Sequence, residues 1–326
     1  MFCSELNNVL TCFHDKIMSC CSGIIGPVYL DNYKGEKIDW EAFKAVKHNA
    51  FALMNKENIS KLPCEGCFFL RQRTEKDVVS DKFNLLNLSH WTQCNCGCIY
   101  CARMDDSKGE ITTKKQKSKS YDMLPVLKGL YKNDLLDRQN LTVVFQGGDI
   151  SVLKEFEPLV KECLKSGVNR FEILTNNIIY HPIIKKLIDK NKAILYTSLD
   201  TGNRETYKKL KRVDKFEECV KNLRKYSKSK PNPPIIVKYI LVEHFNDNRE
   251  EIITFMDLMS DIGITTVEFQ IDNKYGLFTD LDKNPLPEHY GELFLLFKAE
   301  CQKRNIRLQV WPKTEDTLKK YALKGI

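Results

Sequence analysis

Residues 94–101 read CNCGCIYC: four cysteines within eight positions, with an aromatic residue just before the last. Thiolates are soft donors that suit zinc or iron–sulfur clusters, and cysteines this dense can otherwise pair as disulfides. The chain has 326 residues and thirteen cysteines, and the odd number and uneven spacing argue against a disulfide framework. The opening MFCSELNNVL lacks a basic start followed by an apolar core, so no export signal is expected. No run of about 18 uncharged apolar residues marks a membrane span. The thiols are therefore expected in a reducing cytoplasm, where disulfides are rare, and metal or cluster binding remains as their use. The net charge of +8 is dispersed, with one concentration at Lys114, Lys115, Lys117 and Lys119. That pattern reads as a solvated surface. Without interleaved aromatic and basic residues for base stacking, nucleic acid is not expected as a partner.

The elements that must position these residues alternate. Strand-like runs are expected at 85–91, 141–145, 171–177, 193–200, 234–242 and 266–271, with a seventh at 306–311. Amphipathic stretches fill the gaps. In 150–167, Val152, Leu153, Phe156, Leu159, Val160, Cys163 and Leu164 share one face at helical spacing, and Gly167 ends the pattern. Six strand–helix alternations imply parallel strands with crossover helices, wound into a full or partial barrel or an open sheet. In such folds ligands collect at the C-terminal ends of the strands. There lie Cys94 to Cys101, then Gly147-Gly148-Asp149, then Asn176, then Ser198 and Asp200. Residues 1–85 differ in texture: six cysteines and little clean periodicity.

Cys94, Cys98 and Cys101 give C-x3-C-x2-C, with Tyr100 before the last cysteine. This resembles the signature of the radical SAM superfamily, over about residues 86–310. The resemblance implies an α/β fold, a partial (β/α)6 TIM-type barrel over 86–326, preceded by a small cysteine-rich module over 1–85. It implies that Cys94, Cys98 and Cys101 hold a 4Fe–4S cluster whose open iron takes S-adenosylmethionine, with Tyr100 beside it. Cys96 is an extra cysteine, read as a non-ligand because shifting the register to it destroys the spacing. FQGGDI resembles the family's GGE segment, which meets the amino group of S-adenosylmethionine, with Asp149 in place of the glutamate. Gly147, Gly148 and Asp149 are thus candidate cofactor contacts; the alternative is a strand-to-helix turn capped by Asp149. YTSLDTGNRETY resembles the family's "SLD…ETY" segment, which assigns Ser198 first and Asp200 second to the cofactor, the alternative being helix capping by Asp200 or Thr201. Asn176 is a further candidate, or a loop-turn residue. Alternation on the strand VKYILV turns either Lys238 or Tyr239 inward, and a buried lysine needs a partner.

Upstream, the resemblance extends to SPASM-type modules, which carry auxiliary clusters. It implies that Cys3, Cys20, Cys64 and Cys67 ligate a second 4Fe–4S cluster, with Cys12 and Cys21 as competing ligands. The same four cysteines also suit a zinc knuckle. Cys64-x2-Cys67 with Cys98-x2-Cys101 is another zinc pairing, although their separation exceeds the usual ribbon gap of roughly 15–20 residues. Cys163, Cys219 and Cys301 read as small buried hydrophobes.

The activity implied is reductive cleavage of S-adenosylmethionine to a 5′-deoxyadenosyl radical, which takes hydrogen from a peptide or small-molecule substrate. The electron comes from a donor such as flavodoxin or ferredoxin. The rival class is a zinc-stabilised binding protein without catalysis.

Overall fold

The computed structural model describes residues 1–20, 28–30, 33–54, 57–62, 64–65, 67, 69–101, 120–228, 234–275 and 285–324. Two compact units emerge, Met1–Gln93 with Gln116–Leu174, and Cys94–Lys115 with Thr175–Ile326. Residues 1–85 fall within the first unit. Lys114, Lys115, Lys117 and Lys119 lie outside the described residues.

The first unit contains β1 (Phe2–Cys3), α1 (Ser4–Asn8), β2 (Val9–Phe13), β3 (Ile17–Met18), β4 (Tyr29–Leu30) and α2 (Trp40–Leu53). It continues with β5 (Leu70–Arg71), β6 (Leu85–Ser89), α3 (Met123–Lys132), β7 (Thr142–Phe145), α4 (Phe156–Lys165) and β8 (Arg170–Leu174). The strands β8, β7, β6 and β2 pair in parallel, and β3 and β4 extend the edge antiparallel. β2 is not among the expected strands. Four of its five residues, VLTCF, are apolar, without alternation, and so short a run does not show its period. Its place is set by pairing, Val9 opposite Leu85 through Phe13 opposite Ser89.

Helix α4 begins later than the apolar pattern suggests. Asp149 caps a 3-10 turn at Ile150–Val152, and the regular helix starts only at Phe156. Phe156, Leu159, Val160 and Cys163 form its buried face, as their spacing requires. Helix α2 starts where the Asp39 carboxylate accepts the N–H groups of Glu41 and Ala42. It carries a fully buried lysine. Lys47 Nζ donates to the carbonyls of Asn7 at 2.6 Å and Ser80 at 2.8 Å, 4.2 Å from the centre of the Phe83 ring. Burial depresses its pKa to about 8.

The second unit contains α5 (Pro182–Asp189), β9 (Ala193–Ser198), α6 (Arg204–Lys211), α7 (Phe216–Ser227) and β10 (Ile235–Leu241). It ends with α8 (Arg249–Ile262), β11 (Thr266–Ile271), α9 (Tyr290–Lys303), β12 (Arg307–Gln309) and α10 (Pro312–Lys324). Its strands are all parallel, in the order β12-β11-β10-β9. Side chains alternate across each strand. Tyr239 packs edge-on against Phe255 of α8 with ring centres 4.9 Å apart, and Phe269 meets Phe297 of α9 at 4.9 Å. One face of this sheet is therefore sealed by helices. Lys238 and Glu268, in the opposite phase, lie on the other. The seven expected strands all exist, each within a few residues of its expected bounds. Cys163, Cys219 and Cys301 are buried as expected.

Replacing Lys47 with alanine should strand two buried carbonyls and lower the stability by about 3 kcal/mol. A shift of the urea unfolding midpoint against the wild type measures it; an unchanged midpoint contradicts the strut role.

Candidate active site

In the second unit the cysteine loop lies against the end of α6. Gly97 N–H donates to the Lys211 carbonyl and Ile99 N–H to the Leu210 carbonyl, both at 3.0 Å. These carbonyls belong to the last turn of the helix, which lacks internal partners for them. Arg212 ends the helix in the left-handed region, at φ 57°. Within the loop, Cys101 N–H donates to the Cys98 carbonyl at 3.2 Å and Cys96 N–H to Cys94 Sγ at 3.4 Å.

Beneath this loop is a buried polar knot. Lys211 and Asp200 are 1% and 0% exposed. The Lys211 ammonium donates to Asp200 Oδ2 and to the Tyr100 hydroxyl oxygen, and the Tyr100 hydroxyl donates to the same Asp200 oxygen. The other carboxylate oxygen, Oδ1, accepts Ile240 N–H at 3.0 Å. Asp200 N–H donates to the Lys238 carbonyl at 3.2 Å, and its own carbonyl accepts Asn246 Nδ2 at 2.7 Å. Burial opposes the charge on Lys211, but the Asp200 carboxylate overrides it and the amine stays above its ordinary pKa. Burial first, then the Asp200 charge, holds the Tyr100 phenol well above its usual value, so it remains a donor. The sequence assigns Tyr100 and Asp200 to the cofactor. In the structure both Asp200 oxygens and the Tyr100 hydroxyl also make the hydrogen bonds of this knot. Lys211 is not singled out by sequence reasoning, although Tyr207, Leu210 and Lys211 share the buried face of α6 at i, i+3 and i+4.

Asn176 also joins the loop. Its Nδ2 donates to Asn95 Oδ1 at 2.5 Å and reaches Cys96 Sγ at 3.3 Å and Cys94 Sγ at 3.8 Å, while its Oδ1 accepts Ile178 N–H at 3.1 Å. It is thus both a turn residue and a contact of the cysteine loop. The Cys96 thiol bonds to the sulfurs of Cys94 and Cys98, which pushes its own pKa far up and holds Cys98 below the ordinary thiol range. Cys96 therefore sits among the expected ligands rather than apart from them. The cap of α6 is neither Asp200 nor Thr201 but Asn203, whose Oδ1 accepts Glu205 N–H at 2.8 Å. Thr201 instead donates to Glu251, as does Thr206. Ser198 ends β9 opposite Lys238.

In the first unit the glycine pair is packed against Trp91–Gln93, the residues just before Cys94 in the chain. A Cβ on Gly148 would stand 1.8 Å from the Gln93 carbonyl oxygen, and one on Gly147 2.9 Å from the Trp91 ring. Gly148 N–H donates to the Trp91 carbonyl at 3.1 Å, Asp149 N–H to the Gln93 carbonyl at 2.8 Å, and Trp91 Nε1 to the Asp149 carbonyl at 3.1 Å. Asp149 is 2% exposed and its Oδ1 accepts Ser151 N–H at 2.8 Å. Asp149 thus caps the turn that follows.

Backbone pairing brings part of the N-terminal cysteine segment together. β1 pairs with β5, setting Cys3 opposite Leu70, whose N–H donates to the Cys67 carbonyl at 3.0 Å. Cys67 N–H donates to the Cys64 carbonyl at 3.0 Å. Burial raises the Cys64 thiol to about 12, and the neighbouring Cys20, Cys3 and Cys67 add to it. Cys3 is likewise raised by burial, with Cys20 and Cys67 contributing. Cys12 is fully enclosed, and burial raises it to about 12. Cys21 lies outside the described residues. No disulfide links the cysteines among the described residues. Among them no three acidic, histidine or cysteine side chains converge as a lone metal ion requires. A cubane takes thiolates at separate corners, and both cysteine groups supply the soft donors it needs.

The sequence profile of the Radical SAM superfamily matches residues 88–259, and the chain belongs to that superfamily. It is 24% identical over 257 residues to the molybdenum cofactor biosynthesis protein moc-5 of Caenorhabditis elegans, covering 76% of this chain and 39% of that protein. It is 24% identical over 220 residues to the probable GTP 3′,8-cyclase of Saccharolobus islandicus strain Y.N.15.51, covering 66% of each. The chain thus spans less than two thirds of the length of these relatives. The crystal structure of Streptococcus suis SuiB bound to precursor peptide SuiA matches with a TM-score of 0.53 at 11% identity, over 93% of this chain and 72% of that one. That likeness is one of fold: α/β with parallel strands, the partial TIM-type barrel. No helix among the described residues is long and apolar enough to cross a membrane.

Breaking the buried knot on one side, by Asp200→Asn or Lys211→Met, should cost about 3–5 kcal/mol, because the other charge is left buried and alone. The double variant should recover part of that loss. Urea unfolding of the three variants checks this, and equal stability of all with the wild type would refute it.

Proposed function

We propose that Cys94, Cys98 and Cys101 hold the 4Fe–4S cluster and that the enzyme acts on a peptide or small molecule. The observation that carries this reading is the fixed cysteine loop, tied by two backbone hydrogen bonds to α6 and braced by Tyr100, Asp200 and Lys211. When bound, the cluster and S-adenosylmethionine supply a 5′-deoxyadenosyl radical able to take hydrogen from an unreactive carbon. The share of the chain is positional. The loop presents three thiols from a backbone that is already ordered. Asn176 orients Asn95 and the Cys94–Cys96 stretch. Lys211 places a buried positive charge behind Cys98, favouring the thiolate form that a metal ligand needs. Gly147 and Gly148 keep the turn before α4 close to Trp91–Gln93, and the candidate cofactor contacts remain Tyr100, Gly147, Gly148, Asp149, Asn176, Ser198 and Asp200.

The N-terminal segment, residues 1–85, is read as a SPASM-like module in which Cys3, Cys20, Cys64 and Cys67 hold a second 4Fe–4S cluster. The mutual influence of those four thiols supports this set over one containing Cys12. Four protein ligands saturate a cluster, which suits electron transfer rather than substrate binding. A small carrier such as flavodoxin or ferredoxin would supply the reducing electron. The many free thiols suit a reducing compartment such as the cytoplasm. The relatives include a probable GTP cyclase, and the SuiB structure holds a precursor peptide, so both substrate classes stay within the proposal.

Anaerobic reconstitution should give brown protein that forms 5′-deoxyadenosine from S-adenosylmethionine and dithionite. Cys98→Ala should abolish this product; retained cleavage refutes the ligand assignment. Cys67→Ala should lose one cluster, about four irons per chain, while still cleaving S-adenosylmethionine. If that variant loses zinc instead, or no metal, the auxiliary cluster is wrong.

A further inference from the structure

The face of the second unit's sheet opposite Phe255 and Phe297 carries a polar row. Strand register aligns Ser198 on β9 with Lys238 on β10, Lys238 with Glu268 on β11, and Glu268 with Gln309 on β12. A closed parallel barrel fills this face with branched apolar side chains. Four polar residues at one level instead make a surface suited to a polar ligand.

Glu268 organises the row. It is 6% exposed; Oε1 accepts Trp311 Nε1 at 3.3 Å and Gln270 Nε2, and Oε2 faces Lys238 Nζ at 3.7 Å. Lys238 lies in turn 5.5 Å from the centre of the Tyr196 ring. The one ammonium and the one carboxylate compensate each other. No surplus cation is left in the row to favour a phosphate or a free acid. The remaining groups are amides, a hydroxyl and two aromatic rings. Carboxylate, ammonium and amide side by side offer alternating donors and acceptors, the pattern that neighbouring hydroxyls can answer. Trp311 is tethered through its N–H yet 49% exposed, so its ring remains open to an apolar C–H face.

We propose that this row binds the substrate and that the substrate presents a neutral polyhydroxylated ring, a saccharide. This rests on the radical SAM reading and narrows it from peptide or small molecule to one chemical class. Glu268 and Lys238 fix the hydroxyls, Gln309 extends the contact along the row, and Trp311 covers the ring.

The test uses reconstituted holoenzyme and calorimetric titration with glucose, cellobiose and myo-inositol, and with glucose 6-phosphate and glucuronate as charged counterparts. At least one neutral compound should bind saturably, with the charged ones no tighter. Binding should shift tryptophan emission, since Trp40 and Trp91 are buried at 6% and 1% and Trp311 is the exposed one. Glu268→Gln should weaken binding by about tenfold, equivalent to about 1.4 kcal/mol. Trp311→Phe should remove the emission shift and weaken binding. The proposal fails if no neutral compound binds, if only the charged ones bind, or if both variants bind within about twofold of the wild type. Formation of 5′-deoxyadenosine by the wild type separates the two readings: its absence sinks the radical SAM site, while its presence without saccharide binding sinks this inference alone.

Discussion

A carboxylate and an ammonium taken out of water together are stable only if each finds the other and the remaining hydrogen bonds are made. Asp200 and Lys211 meet that condition, and the cysteine loop depends on it. Tyr100 completes the knot from within the loop, one residue before Cys101. Because the pair is buried, its geometry is stiff, and the stiffness passes to the chain segment that presents the sulfurs. The end of α6 adds to this. Its unpaired carbonyls need donors, and Gly97 and Ile99 provide them, so one helix terminus is satisfied by the loop it supports. Lysine at the last turn is also the charge that a helix C-terminus favours.

A similar constraint governs the glycine turn of the first unit. Gly148 has no room for a side chain against the Gln93 carbonyl, and Gly147 has little against Trp91. The glycines serve close packing of one strand end on another, whatever ligand later meets their backbone. Asp149 is enclosed and caps the turn that follows. A motif read for its ligand therefore has a folding role of its own, and substitution there would disturb both.

Most of the architecture is legible in the sequence because its signal is local. The strands TVVF, IIVKYIL and TVEFQI are β-rich and bounded by turns, and the helices between them repeat at 3.6 residues. β2 escapes such a reading because a five-residue run, four of them apolar and without alternation, carries no period, and only pairing with β6 defines it. The onset of α4 is misplaced for a related reason: an apolar face runs through 150–155, but the cap at Asp149 makes a 3-10 turn first. The gathering of Cys3, Cys20, Cys64 and Cys67 is suggested by resemblance. What brings Cys3 near Cys67 is the pairing of β1 with β5, two residues each, far too short to be read from a pattern.

Sequence alone determined the residue types, their spacing and the alternation of strand and helix, since these follow from chemistry and periodicity within a few turns of chain. It determined that three thiols lie on one loop after a strand. Tertiary structure decided which polar residues are committed to holding that loop. Asp200 and Tyr100 are a hundred positions apart, and their partnership with Lys211 exists only once burial removes water as a competitor. It also decided that Ser198, Lys238, Glu268 and Gln309 stand level, because strand register is a property of the assembled sheet.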